Sequence, residues 1–155
     1  MSSSMQGTSS FSGRFPSPND IKGSWVFETQ KNFIIYLIAV GANPAGRARM
    51  FTNNPKKHVL NIQVDGSHWK MILTHNTNVS ITEFDVGKEK EQTTGDGRTV
   101  KSTFNFTDEK LVEHQKSTKP GEKDSYIEYT IDGDGKLVIT YTGGEVTSVC
   151  KYKKK

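Results

Sequence analysis

The sequence lacks most of the features that would announce a mechanism, and each absence excludes something. It holds a single cysteine, Cys150, so no disulfide forms within the chain and a reducing compartment, the cytoplasm, is the expected home. The longest apolar run, 33–42, is interrupted by Tyr36 and Gly41 and is far too short to span a bilayer. The first 20 residues contain no apolar core of the length a signal peptide needs. Apolar residues make up only 32% of the chain and mean hydropathy is −0.65, which points to short amphipathic strands or a partly polar interior. Disorder is nevertheless excluded, because 8 Phe, 5 Tyr and 2 Trp give the chain something to bury. Charge is also nearly balanced. The net +4 equals the contribution of Lys151, Lys153, Lys154 and Lys155, so the rest of the chain is close to neutral. A nucleic-acid binder with a continuous basic face is excluded, while mild attraction to anionic membranes remains.

Metal-ligand spacing is missing too. His58, His68, His75 and His114 form no His-x-x-x-His pattern, and surface or strand-packing roles are expected for them. The run Asp132, Gly133, Asp134, Gly135 looks like the start of a calcium loop but lacks the ligand at the twelfth position and the flanking helices, so it reads as a hairpin turn. Asn78, Val79 and Ser80 form a glycosylation sequon that would matter only in a secreted protein. Cys150 has no histidine base supplied by the sequence and reads as an inert interior thiol.

What is present is one domain's worth of alternation. Residues 1–20 are rich in Ser, Gly and Pro, show no hydrophobic period and are expected to form a flexible tail; Met5 offers an alternative start. From Ile21 the pattern changes, and Trp25 and Phe27 fall on one side of a half-buried strand. The stretch 32–40 is helical and closes at Gly41. Asn43 followed by Pro44 supplies the cap and first position of a second helix, which runs through Arg47, Arg49 and Met50 and stops near 53–55. This helix-turn-helix is a poor DNA reader, because its first helix is apolar almost all round. Strands are predicted at 57–64, 68–74, 79–86, 88–93, 98–106, 110–116, 125–131, 136–142 and 145–153, separated by Gly- and Asp-rich turns. With the first strand these make ten. Short loops imply an antiparallel, up-and-down meander, and so many strands close rather than leave two long edges bare. The predicted fold is therefore an all-β, ten-stranded antiparallel up-and-down barrel over 21–155, too wide for its own side chains to fill, with the helix pair capping one end.

Several segments of this pattern resemble one family. Gly23, Trp25 and Phe27, then Asn32, Phe33, Tyr36 and Leu37, resemble the opening of the intracellular lipid-binding proteins, which include fatty-acid- and retinoid-binding proteins. The similarity continues through Gly87, residues 93–102, Lys110, Leu111, Val112, Gln115 and Lys116, then Ile131, Asp132 and Gly133, to Tyr152. It spans about 21–155 and implies the family's ten-stranded β-clam with a helix-turn-helix lid. Three positions depart from it. Ile34 stands where an acidic residue is usual. The two interior arginines that hold a ligand carboxylate beside a C-terminal tyrosine match Cys150 and Glu128, while the tyrosine itself matches Tyr152.

The resemblance implies a ligand site made of Tyr152, Cys150, Glu128, Arg98, Gln115, Phe33, Tyr36, Met71, Ile139 and Tyr141. Alternation groups Tyr126, Glu128 and Thr130; Leu137, Ile139 and Tyr141; and Ser148, Cys150 and Tyr152, all expected to point inward. Glu128 is expected either to stay neutral or to pair with Arg98 or Lys90. In helix 32–40, Phe33 and Leu37 face the cavity, so Ile34, Ile35 and Ile38 cannot all be buried and form an apolar patch flanked by Lys31, Arg47 and Arg49. The expected function is non-enzymatic carriage of a long-chain fatty acid or related lipid by a monomer, without a cofactor or metal and with transient contact to anionic membranes through the lid. Two alternatives stand beside it. The loss of both arginines favours a neutral lipophile or chromophore such as a retinoid or carotenoid. An enzyme on the same barrel would use Cys150, Glu128 and Tyr152.

Overall fold

A computed structural model describes residues 21–50, 57–107 and 110–155. The expected tail at 1–20 and the end of the second helix lie outside the described residues. Ten strands follow one another in the order β1 (Gly23–Lys31), β2 (His58–Asp65), β3 (His68–His75), β4 (Asn78–Asp85), β5 (Lys90–Thr93), β6 (Thr99–Thr107), β7 (Lys110–Ser117), β8 (Ser125–Ile131), β9 (Leu137–Gly143) and β10 (Val146–Lys154). Helices α1 (Phe33–Val40) and α2 (Pro44–Arg49) sit between β1 and β2.

All ten strands belong to one antiparallel sheet in the order β4-β3-β2-β1-β10-β9-β8-β7-β6-β5. The first strand bridges both halves of the chain: Gly23–Val26 pairs with β2, and Trp25–Lys31 pairs with β10 through an irregularity between Phe27 and Thr29. The two ends of the sheet, β4 and β5, are neighbours without a backbone ladder. Side chains bridge that gap instead: Lys90 Nζ and Gln92 Nε2 both donate to the carbonyl of Glu83. The predicted barrel is thus nearly closed.

The core lies inside. Trp69 stacks on Phe84, and Phe84 lies against Phe104 with ring centroids 3.5 Å apart. The lid is seated by close backbone approach. A Cβ at Gly143 would come within 2.2 Å of Val40 Cγ1, and one at Gly46 within 2.1 Å of the Asp96 carbonyl, so only glycine lets α1 rest on the β9–β10 turn and α2 on the β5–β6 turn. Asn43 caps α2 as expected, its Oδ1 accepting from Gly46 N at 2.7 Å. Helix α1 is started differently: Asn32 adopts a left-handed φ of 63°, and Gln30 Oε1 accepts from Phe33 N. The suspected calcium loop is a turn, in which Asp132 Oδ1 accepts from the backbone N–H of Asp134 and Lys136.

Candidate ligand-binding site

Strands present alternate side chains to the interior, and the buried positions of β6 to β10 show which. On β8 these are Ser125, Ile127 and Tyr129; on β9, Leu137 and Ile139; on β10, Ser148, Cys150 and Tyr152. Of these, Ile127, Tyr129, Ile139 and Tyr152, together with Phe33, Tyr36 and Leu37 from the lid, bound a cavity with about 780 Å³ of atom-free space, part of it continuous with solvent. Its apolar wall includes Leu60, Met71, Phe104 and Ile139. An adjoining hollow between Phe27, Phe33, His58, Cys150 and Tyr152 extends it toward β1 and β2.

Four polar groups interrupt this wall. Under the β5–β6 turn, Arg98 grips Asp96 through Nε–Oδ2 at 2.7 Å and Nη2–Oδ1 at 3.1 Å, both side chains only 4% exposed. Beside it, Glu113 accepts on Oε2 from Ser102 Oγ at 2.6 Å and Gln115 Nε2 at 2.9 Å. Burial raises the Glu113 carboxyl above its ordinary value, against the two hydrogen bonds and the Arg98 charge, which pull it down. The Tyr36 hydroxyl reaches from the lid to Ser125 Oγ, and burial pushes it up to about 12. On the other side of the interior, Tyr152 Oη and His58 Nε2 are 2.7 Å apart, and the His58 ring is stacked on Phe27 and lies 3.6 Å from that of His75. Burial lowers His58 to about 3 and His75 to about 4, so both are neutral imidazoles around neutral pH. Burial also pushes the Cys150 thiol up to about 12, far from a reactive thiolate.

Such a lidded, mostly apolar hollow with a few converging polar groups is a small-molecule site. No family model matches the chain. Known proteins decide the matter. Fatty acid-binding protein homolog 6 of Caenorhabditis elegans is 34% identical over 130 residues, which cover 84% of this chain and 93% of that protein. The chain belongs to the fatty acid-binding protein family. A solved structure of a Schistosoma mansoni fatty acid binding protein in complex with arachidonic acid superposes with a TM-score of 0.77, at 27% identity over 90% of this chain and 99% of that one. Apo lipid binding protein 8 of Caenorhabditis elegans shares the fold with a TM-score of 0.80, at 24% identity over 90% and 98% of the two chains.

Within this family's barrel, most of the expected site residues come together. Phe33, Tyr36, Met71, Arg98, Gln115, Ile139, Tyr141 and Tyr152 line the main cavity, and Cys150 lines the adjoining hollow. Glu128 does not join them. Its side chain is 38% exposed on the outer wall, where Lys110 Nζ donates to Oε1 at 3.0 Å. The cause is a one-residue difference in facing: β8 pairs Ile127 with Tyr141 and Tyr129 with Ile139, and directly opposed residues share a face. Tyr126 and Thr130 therefore turn outward with Glu128. The bases expected for Glu128 are elsewhere as well, Arg98 on Asp96 and Lys90 exposed at the barrel's gap. The interior acid is Glu113, and the partner of Tyr152 is His58, where strand-packing or surface roles were expected for the histidines.

Proposed function

We propose that this chain binds a long-chain fatty acid or a closely related lipid inside its barrel and carries it without chemical change. The observation that carries this reading is the lidded interior: aromatic and aliphatic side chains surround the cavity, and α1 closes one end. Relatives named as fatty acid-binding proteins support it. Burying the chain supplies the affinity, roughly 25 cal/mol for each Å² removed from water. The proposed contacts are Phe33, Tyr36, Met71, Arg98, Gln115, Ile139, Tyr141, Cys150 and Tyr152. Nucleophilic catalysis by Cys150 has no support in this interior, because burial pushes its thiol up to about 12 and keeps it protonated.

The lid is the proposed delivery surface. Ile34, Ile35 and Ile38 are 38%, 54% and 56% exposed on α1, while Phe33, Tyr36 and Leu37 face inward. Such an apolar strip suits transient insertion into a membrane surface. Among the described residues no helix is long and apolar enough to cross a membrane. A monomer working in the cytoplasm fits this picture, with 21–155 as the barrel and 1–20 as a dispensable tail. The test is extraction of the protein from its native source and from a bacterial host, followed by mass spectrometry of what is released. A stoichiometric lipid supports the reading; a lipid-free protein that also fails to take up fatty acids and matched neutral lipids overturns it.

A further inference from the structure

We infer that the cavity prefers lipids whose polar end is uncharged and donates a hydrogen bond, a long-chain alcohol in the simplest case, over ionised fatty acids. This rests on the carrier reading and concerns the polar end of the same ligand.

The interior offers an anion no uncompensated positive charge. Among the described residues the buried acidic and basic side chains, the two neutral imidazoles aside, are Asp96, Arg98 and Glu113. The single cation is already matched, since Asp96 occupies two of the three guanidinium nitrogens of Arg98. An entering carboxylate would be a second anion on a neutralised guanidinium, with the Glu113 carboxyl beside it. The other polar centre is no better. Tyr152 is partnered by His58, and both His58 and His75 are held neutral by burial.

The unmade hydrogen bonds point the same way. Glu113 Oε2 takes the Ser102 hydroxyl and the Gln115 amide N–H, which leaves Gln115 Oε1 buried without a donor. Arg98 Nη1 is a buried donor without an acceptor. Both residues line the main cavity. Leaving such atoms unpaired is costly, and a ligand that satisfies them recovers that cost. Arg98 Nη1 can give its proton to a hydroxyl or to a carboxylate oxygen alike, so Gln115 Oε1 is the atom that discriminates. A hydroxyl has a proton to give it, whereas a carboxylate has none and would set a negative oxygen against it. A protonated amine would need Glu113 ionised, whereas burial favours its neutral form.

The experiment displaces the uncharged fluorophore Nile red from the full chain with oleyl alcohol, oleate and oleylamine near neutral pH, using wild type and Asp96→Asn. Oleyl alcohol is expected to displace the probe at a concentration at least about tenfold lower than oleate, as one unit of differential charge interaction implies. Asp96→Asn should narrow that ratio severalfold by leaving the Arg98 charge unmatched and so improving oleate. Oleate matching or beating the alcohol in wild type overturns the inference and leaves the carrier reading intact. So does oleylamine binding best, which would make Glu113 a counter-ion. A ratio unchanged in a folded Asp96→Asn variant overturns the claim that Asp96 is what keeps Arg98 from an anion, and if the variant does not fold the wild-type ratio alone decides. If none of the three displaces the probe, the carrier reading itself fails and the inference with it.

Discussion

Acid should loosen this barrel from within, through two histidines. His58 and His75 are 6% and 2% exposed, and their rings lie with centroids 3.6 Å apart, tilted by 42°, across the β2–β3 pairing. Burial holds His58 at about 3, with His75 adding to the effect, and holds His75 at about 4. In the unfolded chain each ring takes its proton near about 6.5. Between those limits the unfolded state binds more protons than the folded one, so stability falls as pH drops from about 6.5 toward 4. At about pH 4.5 each ring sits roughly two pK units below its unfolded value, a loss of about 2–3 kcal/mol apiece. Together that is a large share of the roughly 5–15 kcal/mol that holds a domain folded. Glu113 works in the opposite direction: its raised carboxyl keeps a proton that the unfolded chain gives up, so its contribution is favourable at low pH and is lost as pH rises. Comparison with a variant separates the two. Urea unfolding of wild type and His75→Gln at about pH 7, 5.5 and 4.5 should show the wild type losing stability steeply and the variant losing roughly half as much. A flat wild-type profile over that range, or identical slopes in the two proteins, would refute the claim that neutral buried imidazoles control the acid limit.

Three further outcomes follow from the geometry. Glu128→Gln should change fatty-acid affinity by less than about twofold and stability by no more than about 0.5 kcal/mol, because it removes only a half-exposed pair with Lys110; a large change in affinity in ligand titrations would return Glu128 to the cavity. Replacing Ile34 and Ile38 together with Glu should leave affinity nearly intact while slowing transfer to anionic vesicles severalfold, through lost apolar surface and added repulsion; unchanged transfer rates would remove the membrane role. Deleting residues 1–18 should leave the melting temperature within a few degrees, since the cut spares Ile21, which is fully buried and whose carbonyl accepts from Trp25 Nε1; a large drop in a thermal melt would show that the segment packs.

The barrel was legible because period-2 alternation and glycine-rich turns are local signals, and the strands predicted from them differ from those observed by only a few residues. The bare seam between β4 and β5 was not, because it consists of hydrogen bonds that are not made. Within the site, β9 and β10 could be read directly: Leu137 and Ile139 alternate with outward residues, as do Ser148, Cys150 and Tyr152. On β8 alternation sets Ser125, Ile127, Tyr129 and Ile131 against Tyr126, Glu128 and Thr130, so the isoleucines marked the inner face; the expectation for Glu128 followed the family's arginine position instead, which falls one residue off that face. Glu113 had a signal that went unused. It stands two residues before Gln115 on the same strand and must share its face, but an acidic residue in a strand ordinarily reads as solvated surface. His58 and His75 are 17 positions apart and form no spacing motif; the β2–β3 register alone brings their rings together.

The magnitudes separate what the apolar wall does from what these polar residues do. Removing ~400 Å² of a long acyl chain from water gains on the order of 10 kcal/mol before ordering costs. A single hydrogen bond to a charged group is worth only about 1.5–3 kcal/mol. Most of the affinity therefore belongs to the wall of aromatic and aliphatic side chains, and it does not depend on an arginine at position 150. What the polar groups control is the difference between ligands that share one tail. In an interior where Arg98 is already matched by Asp96, and where His58 and His75 are neutral, that difference is set chiefly by whether the ligand's end brings a charge or a proton to donate. Substitutions among Arg98, Glu113 and Gln115 should accordingly reorder ligands of equal chain length, whereas substitutions at Phe104 or Ile139 should weaken all of them together.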